Sequence, residues 1–256
     1  MRAYYESGVE IGRLDRGYWR LEFARTKELL GRYLPPARAR VLDVGGGPGV
    51  YAEWLAEAGY DVKLVDLVSL HVEHARRRAA GRFAAEEGDA RSLAEPDHSY
   101  DVVLLLGPLY HLVERSDRLR ALSEARRVLH EEGLLAAAAI SRFGPLLDAL
   151  ARETFDERMW AFVERALMDG RHLPARDGDL FTTAYFHLPD ELRDEVEEVG
   201  FRLEGLFGIE GPAWLRMESL DESEGFETAM RVARAVETAP AVIGTSAHLF
   251  AVARPI

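Results

Sequence analysis

Two carboxylates and a run of glycines are spaced along this chain so that they could hold a positively charged, ribose-bearing ligand. The stretch VLDVGGGPGVYAEWL (41–55) carries Asp43, then Gly45, Gly46, Gly47 and Gly49, between an apolar run and a helical pattern. Glycines in such a place remove side chains where the backbone turns sharply or approaches a ligand, and they present N–H groups at a helix N-terminus. Asp66 follows about 20 residues later, where a carboxylate can accept both ribose hydroxyls of a nucleotide. Asp43 stands just before the first glycine. A negative charge there suits a cationic or amine-bearing ligand and does nothing useful for a pyrophosphate. Gly47-x-Gly49-x-x-Ala52 also matches the dinucleotide fingerprint formally, so the loop alone leaves a nicotinamide-dependent oxidoreductase open.

Histidines supply the candidates for proton transfer. His111, in GPLYHL, falls just past an apolar strand, where open α/β sheets place their ligand crevice, and Tyr110 is its neighbour. His187, in TTAYFHLP beside Tyr185 and Phe186, is a second candidate. His71 and His74 stand i and i+3 on a helix with no third ligand indicated, so a surface position is expected for them and no metal is predicted. The chain has no cysteine, which excludes disulfides, thiolate catalysis and cysteine-ligated zinc.

The elements that must position these residues alternate. A helical N-terminal segment (1–34) ends at LPPAR; in it Leu21, Phe23, Leu29 and Leu30 are apolar, and Glu22 and Arg25 polar. ARVLDVG reads as strand 1, and Val50, Trp54, Leu55 and Ala58 recur at helical spacing before Gly59. DVKLVD (61–66) is strand 2, and 69–80 a helix opened by a Ser69 cap. Residues 82–90 hold strand 3 and its exit loop, SYDVVLLLG (99–107) is strand 4, 116–133 an amphipathic helix, and LLAAAAIS (134–141) strand 5. The alternation then breaks. Residues 142–188 read as an inserted lid of helix and loop, 189–200 as a helix, 201–209 as a strand, and 245–254 as the final strand, after a long acidic helical connection from 210 to 244.

Taken together, Asp43-Val44-Gly45-Gly46-Gly47-Pro48-Gly49 resembles the D/E-x-G-x-G-x-G motif of the class I S-adenosylmethionine-dependent methyltransferases, and the match covers about 41–141. The resemblance implies an α/β, Rossmann-like, seven-stranded, mostly parallel sheet with an antiparallel last strand. To this the chain adds an N-terminal helical cap (1–36) and an inserted lid (142–188), around a cofactor-binding core (37–141) and a C-terminal part of the sheet (189–256), all in a single domain. It implies S-adenosyl-L-methionine as cofactor and S-adenosyl-L-homocysteine as product. Asp66 would bind the ribose hydroxyls, Asp89 in EEGDARSL the adenine amino group, and Ala90 would offer its backbone amide; Leu67 and Leu106 join the cofactor-binding set. The strand 4 region and the helix ending VLHEEG are similar to the small-molecule branch. GPLY shares Pro108 and Tyr110 with the [DN]PP[YF] motif of nucleic-acid and glutamine methyltransferases but has Gly107 in place of the amide-bearing first residue. A non-catalytic domain that binds the same cofactor is the remaining alternative.

Composition agrees with a small organic acceptor. The net charge of −12 opposes a phosphate backbone, and no apolar run approaches the roughly 20 residues of a membrane helix, so neither nucleic acid nor membrane is expected as a partner. The N-terminus lacks the apolar core of a signal peptide, which points to a cytoplasmic monomer or homodimer. Aromatic residues gather in the lid (Phe143, Phe155, Trp160, Phe162, Phe181, Tyr185, Phe186) and in the N-terminal segment (Tyr4, Tyr5, Tyr18, Trp19), and part of them is expected to line the acceptor pocket.

Overall fold

The computed structural model describes residues 17–174, 180–216 and 220–256. Tyr4, Tyr5 and the first sixteen residues of the expected cap therefore lie outside the described residues. After helix α1 (Gly17–Gly31), the alternating core runs β1 (Arg40–Val44), α2 (Val50–Glu57), β2 (Asp61–Asp66), α3 (Ser69–Ala79), β3 (Ala84–Glu87), β4 (Tyr100–Leu105), α4 (Arg115–Val128) and β5 (Leu129–Ser141). These five strands pair in parallel in the order β3-β2-β1-β4-β5. Strand order reverses between β1 and β4, so a crevice opens beyond their carboxyl ends. Both faces of the sheet are covered. Leu42, Val44, Val103 and Leu105 pack into one apolar layer and Val41, Leu64, Val102 and Leu104 into the other, which is why these strands read as continuous apolar runs.

The rest of the chain adds α5 (Gly144–Ala151), α6 (Glu157–Asp169), β6 (Arg171–His172), β7 (Ala184–His187), α7 (Pro189–Glu198), β8 (Phe201–Gly208), α8 (Ser223–Val236) and β9 (His248–Pro255). Strand β9 runs antiparallel to β5 and β8, which completes the expected seven-stranded sheet. Two short strands bring the total to nine among the described residues. They correct the reading of 169–189 as a loop: β6 and β7 form a hairpin, and β7 pairs with Ile140 and Ser141 at the end of β5. The expected lid is thus stitched to the sheet.

Two boundaries also differ from expectation. Helix α4 stops at Val128 and β5 begins at once with Leu129, which pairs with Tyr100 before the register shifts at Val102. The segment LHEE was read as helix because Leu129 continues the apolar face of α4; its burial is instead satisfied from the strand. Helix α3 is capped at Val68, with Ser69 already helical, and no side chain caps it; the Val68 amide donates to Asp66 Oδ1 at 2.8 Å.

Helix α1 packs against the long C-terminal connection. Leu21 joins Ala213, Leu220, Ala229 and Met230 in a small apolar cluster, and the fully buried Arg25 donates from Nε to the Ile209 carbonyl at 3.2 Å and pairs with Glu237. Glu22 and Arg25, the polar residues noted in this helix, are both buried.

Candidate active site

A cleft enclosing about 1210 Å³, part of it open to solvent, lies over the carboxyl ends of β1, β2 and β4. Its floor is the glycine turn. Gly45 has φ +71°, and a Cβ there would stand 2.6 Å from Pro108 Cγ; a Cβ on Gly46 would stand 2.5 Å from Asp43 Oδ2. The turn is bare because nothing larger fits between strand 1, Pro108 and whatever the cleft holds. Gly47 has φ +57°, and its N–H donates to Asp66 Oδ2 at 2.9 Å. Gly49 does not line the cleft. It holds the left-handed N-cap of α2 at φ +86°, and a Cβ would press on Phe83 and Ala75 at 3.1 and 3.2 Å, so its requirement is packing against α3.

Asp43 is 1% exposed, and neither carboxylate oxygen has a hydrogen-bond partner among the described residues. Burial, reinforced by the nearby charge of Asp66, pushes its carboxyl up to about 7. An orphaned carboxylate on a cleft wall calls for a cationic donor from the ligand. Asp66, by contrast, has partners on both oxygens: besides Gly47 and Val68 it faces His71 Nδ1 at 3.2 Å. His71 is therefore buried behind Asp66 and lines the cleft, a correction of the expected surface position; His74, one turn on, is half-buried. Asp89 accepts three hydrogen bonds from the Arg91 side chain and one from its amide, and that guanidinium holds its carboxyl below the usual range. Arg91 is fixed in turn by Asp117 at 2.9 Å. Leu67, Ala90 and Leu106 complete the lining near these carboxylates.

At the other end stand Tyr110 and His111, on a short 3₁₀ turn after β4 (Leu109–His111). Their rings meet edge to face at 4.6 Å, and His111 Nδ1 lies 3.2 Å from the Thr183 carbonyl, just before β7. Opposite them, the cleft receives Glu22 and Thr26 from α1, Ile209 after β8, and His248 at the start of β9. The sequence reading did not single out these four. His248 carried one signal: it is a histidine opening an otherwise apolar run, LFAVA, at the end where an antiparallel strand meets the carboxyl edge of the parallel ones.

His187 is not part of this cleft. It is completely buried, with Nε2 3.3 Å from Glu195 Oε2, and burial holds its imidazole below the ordinary value. Glu195 also receives the Arg118 guanidinium at 2.7 Å, and that guanidinium stacks 3.6 Å from the ring centre of Tyr185. The apolar character of the TTAYFH segment made it look like a lid face. Its polar members instead knit the hairpin to α4 and α7.

An open α/β sheet with an anion-lined, glycine-floored crevice at its switch point defines a Rossmann-like site for a cationic adenosyl ligand. The model of the methyltransferase domain matches residues 41–133, from the glycine turn to the start of β5. Over 227 residues the chain is 30% identical to an uncharacterised methyltransferase of Mycobacterium bovis, covering 84% of this chain and 82% of that one. It is 36% identical over 138 residues to 27-O-demethylrifamycin SV methyltransferase of Amycolatopsis mediterranei, covering 48% of this chain and about half, 49%, of that relative. A solved methyltransferase from Methanosarcina mazei shares the fold at TM-score 0.61 with 20% identity, over 89% of this chain and 97% of its own. The chain belongs to the class I S-adenosylmethionine-dependent methyltransferases, and its cofactor is S-adenosylmethionine rather than a nicotinamide. The orphaned Asp43 and the bare glycine floor fit that sulfonium- and ammonium-bearing molecule.

Proposed function

We propose that this enzyme methylates a small organic acceptor held at the Tyr110, His111 and His248 end of the cleft. When bound, the cofactor supplies an electrophilic methyl group. The carboxylate of Asp66 takes the ribose hydroxyls, Asp89 and the Ala90 amide meet the adenine, and Leu67 and Leu106 flank the nucleoside. Gly45, Gly46 and Gly47 admit the methionine end, and Asp43 receives its ammonium. Transfer is an in-line displacement, so the chain's main task is to hold the acceptor in near-attack geometry and to exclude water. Tyr110 and His111 orient the acceptor across the cleft.

The observation that carries this reading is that one cleft is lined both by Asp43, Asp66 and Asp89, at or after the ends of β1, β2 and β3, and by His111 after β4 and His248 at the start of β9. A concave pocket of mixed apolar and polar lining suits a small molecule better than a polymer. Supporting it, one relative is named for 27-O-demethylrifamycin SV. The test is calorimetry with S-adenosylmethionine and S-adenosylhomocysteine, followed by incubation with methyl-labelled cofactor and a metabolite extract. Cofactor binding with label in a low-molecular-weight product supports the proposal; binding without any labelled product indicates a non-catalytic adenosyl-binding protein.

A further inference from the structure

We infer that His248 is the base that takes the proton from a hydroxyl acceptor, with Glu210 as its positioning residue; this rests on the methyltransferase reading above. Strand β9 runs against β5, with His248 opposite Ile140, so its first residue lies at the carboxyl edge where β1 and β4 end. His248 therefore lines the cleft although it is far from the glycine motif in sequence. Behind it, Glu210 is completely buried and takes His248 Nδ1 at 2.6 Å on Oε1. Its Oε2 accepts from the Ser246 hydroxyl at 2.7 Å and from the His248 backbone N–H at 3.0 Å.

These bonds fix both the ring and its tautomer. A carboxylate at Nδ1 keeps the proton on that nitrogen, so Nε2, across the ring, is the basic one. Burial pushes the Glu210 carboxyl up, but its contacts with His248 and the Ser246 hydroxyl outweigh it and hold the group below the ordinary carboxylate range. Glu22 from α1 adds a second carboxylate 4.0 Å from Nδ1, which favours the imidazolium formed on proton transfer. Arg25, on the same helix as Glu22, is committed to Glu28, Glu237 and the Ile209 carbonyl.

In the step, the acceptor's O–H bond breaks as its oxygen bonds the methyl carbon. The proton passes to His248 Nε2, and the electron pair of the carbon–sulfur bond stays on sulfur. An imidazole is suited to this work because its ordinary pKa lies close to neutral pH, so that it is available unprotonated and can still accept a proton, and a hydroxyl must lose its proton where a neutral amine need not.

The same three side chains bring one ligand atom each within 4.8 Å of one another, the spacing of a cation site. Saturation of both Glu210 oxygens by Ser246 and His248 argues for the orienting role instead.

The test uses the full chain saturated with S-adenosylhomocysteine, whose binding is followed separately by calorimetry. Nitrogen-15 resonances are expected to place the neutral His248 proton on Nδ1. Diethyl pyrocarbonate, which acylates basic imidazole nitrogens, is expected to modify His248 and not His187. Turnover is then read with labelled S-adenosylmethionine and a panel of phenols, alcohols, amines and thiols. His248→Gln should lose about 100-fold or more in kcat on hydroxyl acceptors, with KM and cofactor affinity moving less than about threefold. Glu210→Gln should lose less and shift the pH profile of kcat. A proton on Nε2, an unreactive His248, no hydroxyl methylated by the wild type, or equal rates in His248→Gln each overturn the assignment. Protection of His248 by micromolar Mn²⁺ overturns it in favour of a metal site. Loss of homocysteine-product binding in the wild type would instead remove the methyltransferase reading beneath it.

Discussion

The carboxylate of Asp66 accepts the Gly47 N–H at 2.9 Å, so the end of one strand holds the glycine turn of its neighbour in shape. Its other oxygen ties down Val68 at the start of α3. Asp66 thus organises the floor of the cleft in addition to lining it. Asp66→Ala is expected to weaken S-adenosylmethionine binding by at least about 1.5–3 kcal/mol, the range for charge-assisted hydrogen bonds, and to lower the melting temperature as well. Calorimetry and thermal unfolding of the variant check both effects.

Asp43 gives the cofactor affinity a pH dependence. Its carboxyl, raised to about 7 in the folded protein against an ordinary 3.8, stabilises the ligand-free fold in the protonated form. That contribution is complete below the ordinary value and lost as pH rises through about 7. A cationic ligand selects the ionised form, so binding expels a proton and affinity rises with pH up to about 7, then levels. Calorimetry in buffers of different ionisation enthalpy should detect the released proton, and Asp43→Asn should abolish it.

Two neighbouring glycines should fail differently. Gly46→Ala drives a methyl group against the Asp43 carboxylate and is expected to cut cofactor affinity by tenfold or more. Gly49→Ala meets Phe83 and Ala75 at an unfavourable positive φ. It should therefore lose about 1–3 kcal/mol of stability, with less effect on affinity in a variant that still folds. Urea unfolding and calorimetry on the two variants separate them.

The Arg118–Glu195–His187 network is a stability element. Removing one partner of a buried ion pair costs about 3–5 kcal/mol, and Glu195→Gln is expected to fall in that range. Burial opposes ionisation of Glu195, but His187 and Arg118 hold its carboxyl down at about 2. Its contribution is therefore present above the ordinary value of 4.5 and fades as pH falls toward about 2. His187→Ala should lower the unfolding midpoint and leave cofactor affinity unchanged; a loss of affinity at full stability would return His187 to the site.

His111→Ala should raise KM for the acceptor and reduce turnover while cofactor binding persists. An unaltered rate on the acceptor found by label transfer would remove His111 from the pocket's working residues.

What the sequence made legible follows from locality. Asp43, the glycines, Asp66, Asp89 and His111 sit at or beside strand ends within one continuous alternating stretch, where the chain's own order fixes which edge they reach. Glu22, Glu210 and His248 come from three distant segments and meet only because α1 and the last connection fold over the same edge. A polar residue on a helix carries no signal of the buried partner it will meet, so nothing in the sequence showed that Glu22 and Arg25 are buried. His187 misled for the opposite reason: its apolar neighbours signalled burial, and burial alone does not say in which cavity. The end of α4 was obscured because Leu129 satisfies a helical and a strand pattern equally.

Arg25 grips the carbonyl of Ile209, the residue immediately before Glu210, from a helix that also carries Glu22 and Thr26. The part of the cleft proposed above to hold the acceptor is in this way assembled by two parts of the chain that flank the cofactor core at opposite ends of the sequence. Transplanting acceptor specificity onto a sister enzyme therefore requires moving both parts as a matched pair. A chimera exchanging either alone would keep its adenosyl half and forfeit the alignment of the other.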